Sequence, residues 1–358
     1  MIVSKKQRFS YLAYFLSRGS FLGMGFLGVF ELAKNDSYLS SGLGILLGIV
    51  FLLVILNVIK DDKNIFETNI HYFKAFGRIL NFVVSLLAIG FAIIVFYNLT
   101  TFLNLNYLSS ASNIYIGVIL AGAIYYFLFK GFNNIVNATR IFFYISIFFL
   151  IFSLFSCVNN IKTEHLFPIL SEGLKSPALG MLFFAVLSSV PVFFLLCVPK
   201  REIPEVSLKR NIIITYVIGT IGLILIILVA TLVMGYPVIS IFKYPEYMLL
   251  KKISIFSVIE RVENIVSFQY FLDAFILIVM CIYFAVVNFK AISKNESTKK
   301  ILPIVITLIV FGVSTFGITN ANFINDFNLH YVPIILFGVI FVNAGLIYIA
   351  KFFEKIRT

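Results

Sequence analysis

The stretch FSYLAYFLSRGSFLGMGFLGVFELA, residues 9–33, decides how the chain is read. It is apolar for longer than the roughly 20 residues that cross about 30 Å of hydrocarbon. Midway it is interrupted by Ser17-Arg18-Gly19-Ser20. It is too long and too rich in glycine for a cleaved signal peptide, and a second apolar run follows at once. Both are therefore read as membrane spans. Gly23-Met24-Gly25-Phe26-Leu27-Gly28 matches the letters of a dinucleotide fingerprint, but no strand precedes it and it lies inside a span. Glycines that let helices approach closely explain it better, as they do the four-residue spacings Gly19/Gly23 and Gly44/Gly48.

The rest of the chain has the same character. Of 358 residues, 61% are hydrophobic and 12% charged, with mean hydropathy +1.03. A soluble domain carries about 25% charged residues. No polar stretch is longer than a loop, so a single transmembrane domain over 1–358 is expected, with the bilayer as its surroundings. The net charge of +12 would suggest nucleic acid in a soluble protein. Here it reads as basic residues on cytoplasmic loops, with no nucleic-acid partner.

Ten spans are placed near 9–33, 39–59, 76–103, 114–129, 141–157, 178–198, 212–234, 256–289, 301–318 and 332–352. On that scheme 20 of the 28 Lys and Arg fall on the side of the termini and six on the other, with Arg18 and Arg261 inside spans. The bias puts both termini in the cytoplasm. Spans 1 and 6 are both interrupted, the latter at Ser188-Ser189-Val190-Pro191, and spans 3 and 8 are both long. Amphipathic stretches join spans 2 to 3 and 7 to 8 in matching positions. Two five-helix halves, 1–157 and 178–352, in opposite orientation would produce this. An all-α, LeuT-type 5+5 inverted repeat with broken helices 1 and 6 is expected.

Broken helices matter because unpaired backbone groups at membrane depth cost several kcal/mol each. They persist where they are buried or line a cavity, and helix ends there can hold a small zwitterion. The candidate ligand-binding residues are Gly19, Ser20, Gly23, Ser188 and Ser189, with Gln269, one turn before Asp273, either lining the same cavity or serving as a helix-packing amide. Arg18 and Asp273 both fall near the midplane, each ~14–18 Å from its span end at 1.5 Å per residue. A lone charge there costs at least ~3 kcal/mol, so an Arg18–Asp273 pair between helices 1 and 8 is expected. A purely structural role for the pair remains open. Cys157, Cys197 and Cys281 lack metal or redox spacing, and His71, His165 and His330 sit in separate loops. No cofactor, metal or catalytic set is expected. The chain has no GxxxxGK[ST] with which to use ATP.

Several motifs resemble the B subunit of bacterial spore germinant receptors, within the amino acid–polyamine–organocation transporter superfamily. EHLFPILSEGLK at 164–175 looks like that family's LLPVLE-GLKPVLKG. NDSYLSSGLG at 35–44 looks like DAWLA-LLG. YPEYML at 244–249 and FSVIERVEN at 256–264 look like YPFLELAR and FLQRLDAL. The order is kept over nearly the whole chain. The chain departs from the family in span 6, where no carboxylate follows the break, and in carrying Arg18 and Asp273. The resemblance implies a receptor and not an enzyme. It also implies a small amino-acid-like germinant in a transporter-like pocket, a membrane A subunit and a lipoprotein C subunit as partners, and the spore inner membrane as its place. An amino-acid permease on the same scaffold is the alternative. A polytopic membrane enzyme would need a catalytic set on one membrane face.

Overall fold

The computed structural model describes residues 9–59, 63–171, 173–199, 202–203, 207–251, 262–293 and 295–357. Arg261, the motif residues 256–261 and Glu172 lie outside them, as do Lys5, Lys6, Arg8, Lys60, Lys200, Arg201, Lys252 and Lys294 of the charge count. The described residues are helical and contain no strand. In chain order the helices are α1 Tyr11–Arg18, α2 Phe26–Ala33, α3 Ser37–Asn57, α4 Ile65–Phe73, α5 Ala75–Asn106, α6 Asn113–Lys130 and α7 Phe132–Cys157. They continue as α8 Lys175–Ser189, α9 Leu208–Met234, α10 Tyr236–Ile239, α11 Pro245–Lys251, α12 Val262–Ile292, α13 Glu296–Gly312, α14 Ala321–His330 and α15 Val332–Arg357.

Nine helical runs among the described residues are long and apolar enough to cross a membrane. The first, Tyr11–Asn57, has 47 residues, over twice what one crossing needs. It leaves helical geometry at Leu22–Gly23 and again at Lys34, where φ is 50° and ψ is −124°. The outer helices point large apolar side chains away from the protein: Ile119 and Phe155 are each 75% exposed. A continuous outward face of Leu, Ile and Phe is lipid-facing surface. Most of α8 and α12 is buried inside the bundle instead.

Local chemistry sets the boundaries. Asn64 caps α4 by accepting from the Glu67 N–H at 2.8 Å, while the Glu67 carboxylate accepts from the Asn64 N–H at 3.1 Å, a reciprocal capping box. Asn295 and Asn320 cap α13 and α14 with their side-chain oxygens. Gly131 and Gly235 take φ of 84° and 71° where α6 and α9 stop. Pro191 cannot donate to the α-helical ladder, and residues Val190–Cys197 continue α8 as a 3₁₀ helix.

The packing is paired. α1 lies on α9 as α8 lies on α3. α5 meets α12, and α6 meets α13. α12 touches the 3₁₀ run after α8, and α5 touches the break after α1. The short α4 rests on α5 and on α15, while the short α11 rests on α12 and on α7. Two contacts within residues 9–157, α4 with α5 and α5 with the break after α1, thus have counterparts in α11 with α12 and α12 with the 3₁₀ run after α8.

Two loops lock together at the end of α2. The buried Asp36 carboxylate accepts the Leu170 N–H at 3.0 and 3.2 Å, and Asn35 Nδ2 donates to the Pro168 carbonyl at 3.0 Å. His165 Nδ1 lies 3.0 Å from the Leu232 carbonyl. A crevice of about 350 Å³ opens beside them, lined by Lys34, Glu164, His165 and Tyr236. A hydrogen bond to a charged acceptor contributes roughly 1.5–3 kcal/mol. Asp36→Ala is therefore expected to lower stability by about that amount, read as a lower thermal midpoint in detergent. An unchanged midpoint would show that the clamp contributes nothing.

Candidate functional site

Arg18 is the last residue of α1, and its side chain is fully buried. Its Nε donates to Asp273 Oδ2 of α12 at 2.8 Å, and Nη1 donates to the Gly219 carbonyl of α9 at 3.2 Å. The guanidinium stands 5.0 Å over the Tyr14 ring, a cation–π contact. The Tyr14 hydroxyl lies 2.9 Å from Ser146 Oγ on α7. Three glycines make room for this arrangement. A Cβ on Gly19 would run into the backbone carbonyl of Asp273, one on Gly219 into Ser17 Oγ, and one on Gly222 into the Arg18 guanidinium. Arg18 Nη2 and Asp273 Oδ1 have no hydrogen-bond partner.

The backbone break comes four residues later than the Ser17–Ser20 interruption suggests. Gly19 is still helical, at φ −62° and ψ −21°. Leu22 has φ −62° and ψ 114°, and Gly23 has φ 68° and ψ 4°. Glycine reaches that left-handed region without steric cost, so the chain turns at Gly23. The space above Gly23 is crowded: a Cβ there would stand 2.8 Å from Tyr244 Cε1 and 3.4 Å from Asn98 Cβ. The Tyr244 hydroxyl donates to the Asn98 carbonyl at 3.3 Å. Burial pushes the Glu246 carboxyl of α11 up to about 8, opposed by its own N–H and that of Gly23. The Gly23 N–H is close to this carboxyl without completing a hydrogen bond, since both Glu246 oxygens lack partners.

The hydroxyls expected to face a ligand are engaged with protein. Ser20 Oγ donates to the Leu187 carbonyl at 3.1 Å and ties the two breaks together. Ser189 Oγ donates to the Ala185 carbonyl at 2.6 Å, and Ser188 Oγ lies 2.9 Å from the Tyr216 hydroxyl. Such back-bonding is how serine sits inside a helix, so span 6 changes helix type where it was expected to open. Gln269 is fully buried one turn before Asp273, near the Tyr14 hydroxyl, and neither of its amide atoms has a hydrogen bond.

The unmet polar atoms around Gly23 and Arg18 are Arg18 Nη2, both amide atoms of Asn98 and of Gln269, both Glu246 oxygens and Asp273 Oδ1; others are on Asn69 of α4, Asn325 and Asn328 of α14 and Asn343 of α15. Buried polar groups in folded proteins nearly always have partners. Asn98 and Glu246 escaped the sequence reading. Asn98 is one polar residue in a long apolar run, and Glu246 lies in the YPEYML stretch, whose letters carry a resemblance and no sign of burial. Tyr14, Gly219 and Gly222, which seat Arg18, carried no signal beyond residue type. Among the described residues, no group of His, Cys, Asp and Glu could hold a metal ion, and Cys157, Cys197 and Cys281 are buried free thiols.

A bundle of apolar helices around a buried polar centre is the build of a permease-like, multi-pass membrane protein. This chain belongs to the spore germination protein family, whose spore permease model matches residues 5–324. No curated protein matches the chain in sequence.

Breaking a buried ion pair leaves an uncompensated charge, at a cost of ~3–5 kcal/mol. Arg18→Gln and Asp273→Asn should each lower the thermal midpoint and folded yield, and the double variant should recover part of the loss. A double variant no better than the worse single one would show that the two charges are not each other's compensation.

Proposed function

We propose that the chain is the ligand-sensing membrane subunit of a spore germinant receptor, holding a small amino-acid-like ligand at the break around Gly23. The observation that carries this reading is the set of unpartnered buried atoms on Arg18, Asn98, Glu246, Gln269 and Asp273. It contains donors and acceptors on either side of one backbone break, which suits a zwitterion. Gly19, Ser20, Ser188 and Ser189 would form the walls of the site, contributing backbone shape more than free hydroxyls. The A subunit and the lipoprotein C subunit implied by the resemblance are the expected partners, and the spore inner membrane the expected place.

The scaffold we infer is a ten-span, LeuT-type inverted repeat. It is supported by the paired contacts between the halves and by the division of Tyr11–Asn57 at Lys34. The same two-fold arrangement would serve an amino-acid permease with alternating access. Accumulation of a bound amino acid inside proteoliposomes would favour that second reading over a receptor.

Two measurements test these proposals. The wild type in lipid nanodiscs should show a raised thermal midpoint with at least one of the twenty standard L-amino acids, equally in sodium and in potassium buffer. The equality follows because Arg18 puts a fixed cation where a sodium ion between helices 1 and 8 would sit. Gly23→Ala should remain folded and lose the response, since any side chain there is strained and meets Tyr244. A full response in Gly23→Ala, or none in the wild type, removes the site assignment. For topology, single cysteines at 164–175 should be labelled from outside intact cells and those at 207–211 from inside. Labelling of both from one side ends the ten-span scheme.

A further inference from the structure

We propose that Glu246 and the side chain of Asn98 form a subsite for a primary ammonium group above the Gly23 break. This deepens the reading that an amino-acid-like ligand occupies that break, and depends on it. Glu246 and Asn98 are each 1% exposed, and they come from different elements, α11 and α5. They converge on the same glycine: the Gly23 N–H adjoins the Glu246 carboxyl, and a Cβ on Gly23 would touch Asn98. Glu246 Oε1, Glu246 Oε2 and Asn98 Oδ1 are all without hydrogen-bond partners. A primary ammonium carries three N–H donors and no acceptor, so its count matches theirs.

The described residues supply no cation to this carboxylate. The Lys243 ammonium, three residues away, lies 5.5 Å from the Tyr97 ring centroid and 5.7 Å from that of Tyr244. Above the site, Phe102 packs on Tyr244 and Tyr247 with centroids 5.1 and 5.6 Å apart, and Tyr107 packs on Tyr247 at 5.9 Å. This aromatic cover keeps water away and strengthens any ion pair beneath it. A bound ammonium would supply the counter-charge the site lacks. The opposite end of the ligand would then point toward Arg18 Nη2, the unmet donor on the other side of the break.

The subsite also makes binding pH-dependent. The groups around Glu246 are Lys243, Tyr244 and Tyr247 beside it in sequence, Tyr97 on α5 and Tyr270 on α12. Tyr270 is close enough to couple with Arg18, Asp273 and Cys157 as well. With the empty carboxyl pushed up to about 8, ammonium binding below that pH displaces a proton. Affinity should therefore rise about tenfold from pH 6 to pH 7.

The test is isothermal titration of the full-length protein in nanodiscs at pH 6, 7 and 8. The probes are the twenty standard L-amino acids and the des-amino analogue of the tightest binder. Glu246→Gln should weaken that amino acid at pH 8 by roughly 10- to 150-fold and abolish the pH slope. Glu246→Asp should keep the slope at lower affinity, and Asn98→Ala should weaken binding by roughly 2- to 10-fold. The des-amino analogue should bind Glu246→Gln no worse than it binds wild type. Equal affinity and equal slope in wild type and Glu246→Gln overturns the subsite while leaving the Gly23 site standing. Failure of all twenty to bind the wild type overturns both.

Discussion

A guanidinium in the middle of an apolar bundle requires a counter-charge, and the 2.8 Å contact from Arg18 to Asp273 supplies it. The pair is buried on both sides, so breaking it would leave several kcal/mol of uncompensated desolvation. It therefore fixes the end of α1 against the middle of α12. The glycines around it follow from that constraint. Gly19 lets the α1 backbone lie directly on the α12 backbone, and Gly219 and Gly222 flatten α9 so that the guanidinium can lie against it. With α1 held there, the chain must turn before it can continue as α2. The turn falls at Gly23, where a left-handed φ is available.

The division between centre and rim comes from the solvent on each side. Outer helices face lipid with Ile, Leu and Phe and need no polar partner there. Polar side chains were therefore free to collect inward, and Ser and Thr on the central helices bond mostly to carbonyls one turn back. Asn81, Ser85 and Asn288 form one such satisfied group between α5 and α12. The contrast with Asn98, Glu246 and Gln269 is informative. The same bundle satisfies buried amides in one place and leaves them open in others, Asn98 and Gln269 near the backbone break and Asn328 and Asn343 on α14 and α15.

Membrane class, helical architecture and the Arg18–Asp273 contact were legible in the sequence, because each rests on a penalty too large to leave unanswered. Apolar runs of 20 residues have few other uses, and a charge at membrane depth needs a partner. The position of the break was less legible. Serines look like helix breakers in a list of residues, yet Ser188 and Ser189 back-bond within the helix, and in the first span the turn falls at Gly23 and not at Ser17–Ser20. Glu246 was not legible at all. A carboxylate in a short polar segment is solvated by default, and only its burial in the folded bundle, where it is 1% exposed, removes its water. Burial of that kind is a tertiary property, with no signature in spacing or composition.

A bundle that leaves a carboxylate, two amides and half of an ion pair unsatisfied at one spot stores a demand for hydrogen bonds. That demand is unevenly held. Arg18 and Asp273 are fixed by the crossing of α1 and α12, whereas Glu246 rides on α11, a seven-residue helix outside the long apolar runs. That helix is packed into the bundle, with Glu246, Tyr247 and Leu249 all buried. A molecule that satisfies both sides at once would gain most when α11 is in this packed position, so its binding would favour that arrangement by its differential affinity. In this geometry one half of the site belongs to the crossing of α1 and α12 in the core of the bundle and the other half to α11, which packs over it.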